Sequence, residues 1–126
     1  MREKADHWPE EIRLKDGGRV LSITFESGER FDLDAEYLRV MSPSAEVQGH
    51  RPEERRTIGG KRHCRMTGAE PAGNYAVRLI FDDLHSTGIY TWGYLYDLGS
   101  RRDETWARYE AELKAKGLSR DRPGES

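Results

Sequence analysis

Cysteine occurs once in this chain, at Cys64. A single thiol excludes an intrachain disulfide and any zinc site built from several cysteines of the same chain. Long apolar runs are missing too. No stretch approaches the length of a membrane span, and the opening residues MREKADHWPEEIRLK contain no apolar signal-peptide core. Positive charge is not in excess, with 21 Lys and Arg against 23 Asp and Glu and a net charge of −2. That is a poor electrostatic footprint for nucleic acid, which a basic domain would supply. No internal repeat is visible. These absences point to a soluble cytoplasmic protein that binds neither membrane nor nucleic acid.

The 126 residues suit one domain. A chain of this size buries roughly two-thirds of its unfolded surface, enough for one core without staples. Hydrophobic and charged residues each make up 35%, so the core must be small and the surface heavily charged. Three Trp, six Tyr and three Phe supply much of the apolar mass, which argues against disorder over most of the length.

Residues 1–10 are polar and read as a flexible segment. EIRLK alternates, DGG turns, RVLSITF alternates again, ESGE turns and RFDL pairs back, giving an antiparallel meander. Asp34 suits a helix N-cap, Glu36 suits the positive end of the helix dipole, and AEYLRVM then makes about two turns. Pro43 ends that helix by restricting its predecessor. Residues 46–62 read as a long surface loop. A short strand is predicted around residues 65–67, followed by a turn-rich connection and a second clear strand at 76–81. TWGYLYDLG reads as a helix with Thr91 as N-cap and Gly99 as its stop. In the segment from residue 100 to 117, Ser100 and Asp103 resemble a capping box, and Trp106, Tyr109 and Leu113 share one stripe of an amphipathic helix. Residues 118–126 read as a disordered tail.

Several residue types invite a chemical reading. His63 and Cys64 are neighbours on an extended segment and point to opposite faces, so they cannot form a nucleophile–base couple with each other. TIGGKR lacks the upstream glycine of a P-loop, and Arg62 stands where that motif needs Ser or Thr. Arg51, Arg55, Arg56, Lys61, Arg62 and Arg65 form a basic loop that suits either an anionic partner or simple solvation beside Glu53 and Glu54. Asp82, Asp83 and His85 have metal-ligand chemistry, but the other histidines, His7, His50 and His63, stand at no ligand spacing. The bland alternative makes His85 a turn residue bonded to backbone. Ile89, Trp92, Leu95 and Tyr96 fit one helical core stripe, which leaves Tyr90 and Tyr94 either edging the core or exposed as partner anchors.

The stretches LRVMSPSAEVQGH, GNYAV and HSTGIYTWGYLYDLG, within residues 9–99, resemble the small bacterial proteins similar to the N-terminal domain of gamma-butyrobetaine hydroxylase. The resemblance implies an α+β domain in two layers. In the hydroxylases this domain precedes a separate jelly-roll that holds iron and binds 2-oxoglutarate; this chain has no room for it, so hydroxylation is not carried over. The hydroxylase domain holds a structural zinc through C-x-C-x-x-C and one histidine. Those positions fall here on Ser42, Ser44 and Val47, and on His85. The thiolates are replaced and the histidine remains, so no zinc is expected. Relatives of this kind also occur fused to Mrp-type P-loop ATPases of iron–sulfur cluster assembly, which implies a partner rather than a reaction.

The reading that results is an α+β fold, two-layer, with a mainly antiparallel sheet and short packing helices. Residues 11–99 form the domain, 100–117 a C-terminal amphipathic helix. The expected function is a non-enzymatic interaction or accessory domain without cofactor, linked to metalloprotein maturation, with a protein partner of which the Mrp-type ATPase is one candidate. Its expected binding surface is His85, Tyr90 and Tyr94. The rival is a metal-binding domain, zinc or iron, using His85 with Asp82 and Asp83.

Overall fold

Alternation broken by glycine-containing turns doubles the N-terminal third of the chain back on itself twice. The computed structural model describes residues 7–49 and 51–122. Strands β1 (Pro9–Lys15), β2 (Val20–Phe25) and β3 (Arg30–Asp34) form an antiparallel sheet in that order. Leu21 lies opposite both Leu14 and Leu33, and Ile23 lies opposite both Ile12 and Phe31. Residues two apart share a face of a strand, so Leu21, Ile23 and Phe25 all turn inward and are fully buried.

A second antiparallel sheet takes β4 (Met66–Ala72), β5 (Ala76–Phe81) and β6 (Ile89–Thr91) in that order. Its Met66, Leu79, Phe81 and Tyr90 join the first sheet's apolar face in one core, closed by α1 (Ala35–Val40) and α3 (Trp92–Ser100). The short α2 (Ala45–Gln48) follows α1, and α4 (Arg102–Ala115) packs Tyr109 and Leu113 against Val40. The fold is α+β: among the described residues, two small antiparallel sheets with four α-helices. No helix among the described residues is long and apolar enough to cross a membrane.

The N-terminal meander, the helix after Asp34 and the stripe Trp106, Tyr109, Leu113 stand where the pattern places them. Thr91 caps α3, its hydroxyl oxygen accepting from Tyr94 N–H at 3.1 Å. Other elements differ. Flexibility was expected through residue 10, but β1 begins at Pro9, Trp8 carbonyl accepts from Glu26 N–H and His7 stacks on Tyr96; residues 1–6 lie outside the described residues. The strand expected at 65–67 runs on to Ala72 in spite of Pro71, because β4 is an edge strand and an exposed edge position needs no N–H. The loop from 46 contains α2 and a 3-10 turn (Pro52–Glu54). Gly99 does not stop α3. It sits inside the helix, where a Cβ would meet the Phe31 ring at 2.4 Å, so its role is close packing. The capping box at Ser100 is not formed, since Ser100 Oγ donates back to Tyr96 carbonyl and Arg101 takes the N-cap position.

The expected disordered tail also differs over its described part. Residues 118–122 return to the body: Gly60 N–H donates to Ser119 carbonyl at 2.8 Å and Arg62 N–H to Arg120 carbonyl at 3.0 Å. Residues 123–126, like His50, lie outside the described residues.

Candidate functional site

The segment after β5 makes a tight turn that carries Asp82, Asp83 and His85, the candidate metal-ligand set. Leu84 N–H donates to Phe81 carbonyl at 3.0 Å, and Phe81 N–H donates to His85 carbonyl at 2.9 Å. Asp83 locks the turn. Its Oδ1 accepts from His85 N–H at 3.1 Å, and its Oδ2 accepts from Arg39 Nε of α1 at 2.8 Å and from Lys61 Nζ at 2.5 Å. Burial pushes this carboxyl's pKa up, but the hydrogen bonds from Lys61, Arg39 and His85 outweigh it and hold it down at about 2. A depressed carboxylate contributes stability above its unfolded pKa and loses it as pH falls through the folded value. Asp83→Asn is therefore expected to cost about 2 kcal/mol at neutral pH, with the difference from wild type shrinking below about pH 4. Urea unfolding of both proteins at pH 7 and pH 3 measures this; an equal difference at both would contradict it.

Leu84 stands on that braced turn with φ +72° and 89% of its surface exposed. The left-handed region costs an L-residue roughly 1–2 kcal/mol, and glycine or asparagine is the usual occupant.

His85 is buried at 6% exposure between two elements. Its Nε2 lies 2.9 Å from Ser42 Oγ, and its Nδ1 lies 3.4 Å from Glu46 Oε1, which also accepts from Thr87 Oγ1. Ser44 N–H donates to Ser42 Oγ at 3.3 Å, which ties the Ser42–His85 contact to the entry of α2. Burial, followed by the nearby Arg39 charge, lowers the His85 pKa and so disfavours the charged ring. The contact order serine–histidine–carboxylate is that of an acyl-transfer relay. Ser42, however, is 0% exposed, and a Cβ at Gly88 would lie 2.5 Å from its oxygen. A hydroxyl sealed under backbone cannot meet a carbonyl, so the trio braces the turn against α2.

Ser42, Ser44 and Val47, the positions matched to the zinc cysteines, lie at the entry to and within α2, with Ser42 against His85. Val47 is buried and offers no donor, and the buried Ser44 Oγ has no hydrogen-bond partner. One imidazole with two hydroxyls and no thiolate does not fit a structural zinc. The rival set is not assembled either: Asp83 is consumed by Arg39 and Lys61, Asp82 is exposed, and among the described residues no group of three or more His, Cys, Asp or Glu is placed to hold a metal ion.

The expected tyrosine surface needs correction. Tyr90 is 0% exposed and donates its hydroxyl to Leu38 carbonyl. It belongs to β6, not to the helix, so strand alternation sends it inward while Ile89 and Thr91 face out. Tyr94 is half-buried and donates to Met41 carbonyl at 2.6 Å. His85 and Tyr90 thus make structural bonds beneath the surface, and Tyr94 edges the core.

The basic loop is not a free cationic patch. Arg55 pairs with Glu112, Lys61 with Asp83, Arg62 with Asp121 and Arg51 with Glu54; Arg56 stays exposed. Cys64 is half-buried between two clefts of about 170 and 280 Å³. Burial, with Asp83 and Asp82 nearby, pushes its thiol up to about 12, the reverse of an activated nucleophile.

No curated protein matches the chain. Among solved structures, two proteins determined by NMR in solution are similar: one at 47% identity and TM-score 0.79 over 95% of this chain and 94% of that one, the other at 40% and 0.79 over 100% and 98%. A crystal structure of a protein of unknown function from Acidithiobacillus ferrooxidans, of the DUF971 family, is similar at 37% identity and TM-score 0.61 over 72% of this chain and 91% of that one. All of the meander but the first three residues of β1, the α1 corner and the turn through His85 fall within residues 12–96, which match the family described as gamma-butyrobetaine hydroxylase-like, N-terminal, and the chain belongs to that family.

Proposed function

We propose that the protein is a non-enzymatic interaction module that presents Leu84 to a protein partner. The observation carrying this reading is the conjunction at that residue. A lone exposed leucine is ordinary on a protein surface. A leucine held at φ +72° and 89% exposed, on a turn fixed by Asp83, Arg39, Lys61 and the Ser42–His85 contact, is not. Strain held by over-determined surroundings is characteristic of functional positions, and a rigid apolar projection suits insertion into a partner's pocket. Accessory work in iron–sulfur or other metalloprotein maturation is the process proposed, with the Mrp-type P-loop ATPase as the first partner to test. Both come from the resemblance of the sequence.

Leu84→Gly separates binding from folding. Glycine relieves the left-handed strain while adding unfolded-state entropy, so the thermal midpoint is expected to hold or rise. Loss of an anchor costs about 2 kcal/mol of binding or more, roughly thirtyfold in affinity. Crosslinked capture from native cells, quantified for wild type and Leu84→Gly, checks this, with purified ATPase as a direct arm. Equal capture by a variant of undiminished stability would sink the proposal; failure of the ATPase arm alone rejects that partner.

A further inference from the structure

The glycine pair in TIGGKR floors a groove. A Cβ at Gly59 would lie 2.6 Å from Ser119 carbonyl, and Gly60, at φ +73°, lies under Arg122. Along this floor, residues 118–122 run beside 59–62 with two main-chain hydrogen bonds, Gly60 N–H to Ser119 carbonyl and Arg62 N–H to Arg120 carbonyl. Backbone pairing of that kind is how an extended peptide docks on an accepting segment.

Between those bonds Arg120 reaches Glu36. Its Nε donates to Oε2 at 2.7 Å and a terminal nitrogen to Oε1 at 2.6 Å, a two-pronged grip on a carboxylate that is only 3% exposed. The guanidinium also lies 5.2 Å from the centroid of the Trp106 ring. A buried carboxylate fork with an aromatic face is specific for arginine; a lysine ammonium cannot fill both prongs and lie flat on the ring. One residue further on, Asp121 pairs with Arg62 at 2.6 Å.

We infer that this groove, formed by Glu36, Gly59, Gly60, Arg62 and Trp106, is a recognition site for an extended segment carrying Arg-Asp, occupied in cis by Arg120 and Asp121 and open to exchange with such a segment from a partner. Gly117 ends α4 at φ +67° in a helix cap closed by Leu118 N–H donating to Leu113 carbonyl at 2.8 Å, so the exchangeable segment begins beyond that cap, at Leu118, which is 44% exposed. The floor and the carboxylate, Gly59, Gly60 and Glu36, lie inside the family domain at residues 12–96, whereas the occupant lies outside it.

The test uses the full chain and a fluorescein-labelled peptide with the sequence of residues 117–122, GLSRDR. Arg120→Ala empties the pocket, so fluorescence anisotropy is expected to show at least tenfold tighter peptide binding than wild type. Adding Glu36→Gln to that variant should abolish the gain, and a peptide with lysine at the first arginine should bind at least tenfold more weakly. A folded Arg120→Ala protein that binds no tighter than wild type, or binding indifferent to the peptide's arginine, overturns the inference. Should Arg120→Ala not fold, hydrogen exchange on wild type decides. The Gly60 and Arg62 amides are expected to exchange at least tenfold faster than the Leu79 amide of β5. Exchange of all three at one common rate would mean that the segment leaves only when the whole protein unfolds, and would overturn it too.

Discussion

Gly18→Ala is expected to unfold the protein under conditions in which wild type is fully native. Gly18 precedes β2 with φ +89°, and a Cβ there would stand 2.0 Å from the carbonyl oxygen of Met66 at the start of β4. The obstructing atom is backbone, so no rotamer change relieves the contact. The chain must either rotate Gly18 out of the left-handed region, which breaks the entry to β2, or push β4 away. The second response opens the seam between the two sheets, where Leu21 and Met66 meet in the shared core. Each response sacrifices burial as well as geometry. A loss above about 4 kcal/mol is in the exceptional range for one substitution and is a large part of the 5–15 kcal/mol that holds a typical domain together. Circular dichroism and urea melts measure it. A Gly18→Ala protein within about 1 kcal/mol of wild type would mean that the two sheets do not approach as closely as described.

The second large effect concerns Tyr90. Because the side chain is fully buried, Tyr90→Ala is expected to remove about 3–5 kcal/mol, as truncation of buried aromatics generally does. Tyr90→Phe isolates the hydroxyl. It keeps the ring and leaves Leu38 carbonyl, near the end of α1, without its donor. An unsatisfied buried acceptor costs about 1–3 kcal/mol. The two variants should therefore rank alanine below phenylalanine below wild type in thermal midpoint. A binding residue on the surface would give three equal midpoints. Any loss of partner capture by Tyr90→Ala is then to be read as a consequence of unfolding, and Leu84→Gly becomes the informative substitution.

Tyr90 also shows where sequence reasoning reaches its limit. The alternation of Val20 to Phe25 and the turns at DGG and ESGE are local signals, and the meander follows them. The three residues Ile89–Thr91 are too few to show a period, and the strong helical pattern after Thr91 draws them into its stripe. Only pairing with β5, where Tyr90 faces Val77, fixes their direction. Pro71 conceals the length of β4 in the same way, since an edge position is a property of the sheet and not of the residue. Residues 118–122 look disordered because they follow Gly117 and are polar after Leu118; what holds them is a carboxylate more than eighty positions earlier, at Glu36. The contact between Ser42 and His85 was legible through family resemblance alone, because nothing local links residues 43 positions apart. Left-handed Leu84 carried no signal, since leucine is not a residue that announces such a conformation.

Four tyrosines share one habit: Tyr37, Tyr90, Tyr94 and Tyr109 donate their hydroxyls to the carbonyls of Leu98, Leu38, Met41 and Ile58. A phenol engaged in this way cannot release its proton without abandoning the bond. Burial pushes Tyr94 up to about 12 and raises Tyr37, Tyr90 and Tyr109 as well. A group whose folded pKa is raised contributes its stability below the ordinary phenol value of about 10 and loses it as pH climbs beyond. The fold therefore has an alkaline limit set by these hydroxyls. In strong base, the phenolate absorbance contributed by these four tyrosines and the loss of helical ellipticity are expected to be two readings of a single cooperative event, an optical indicator of collapse that the fold itself carries.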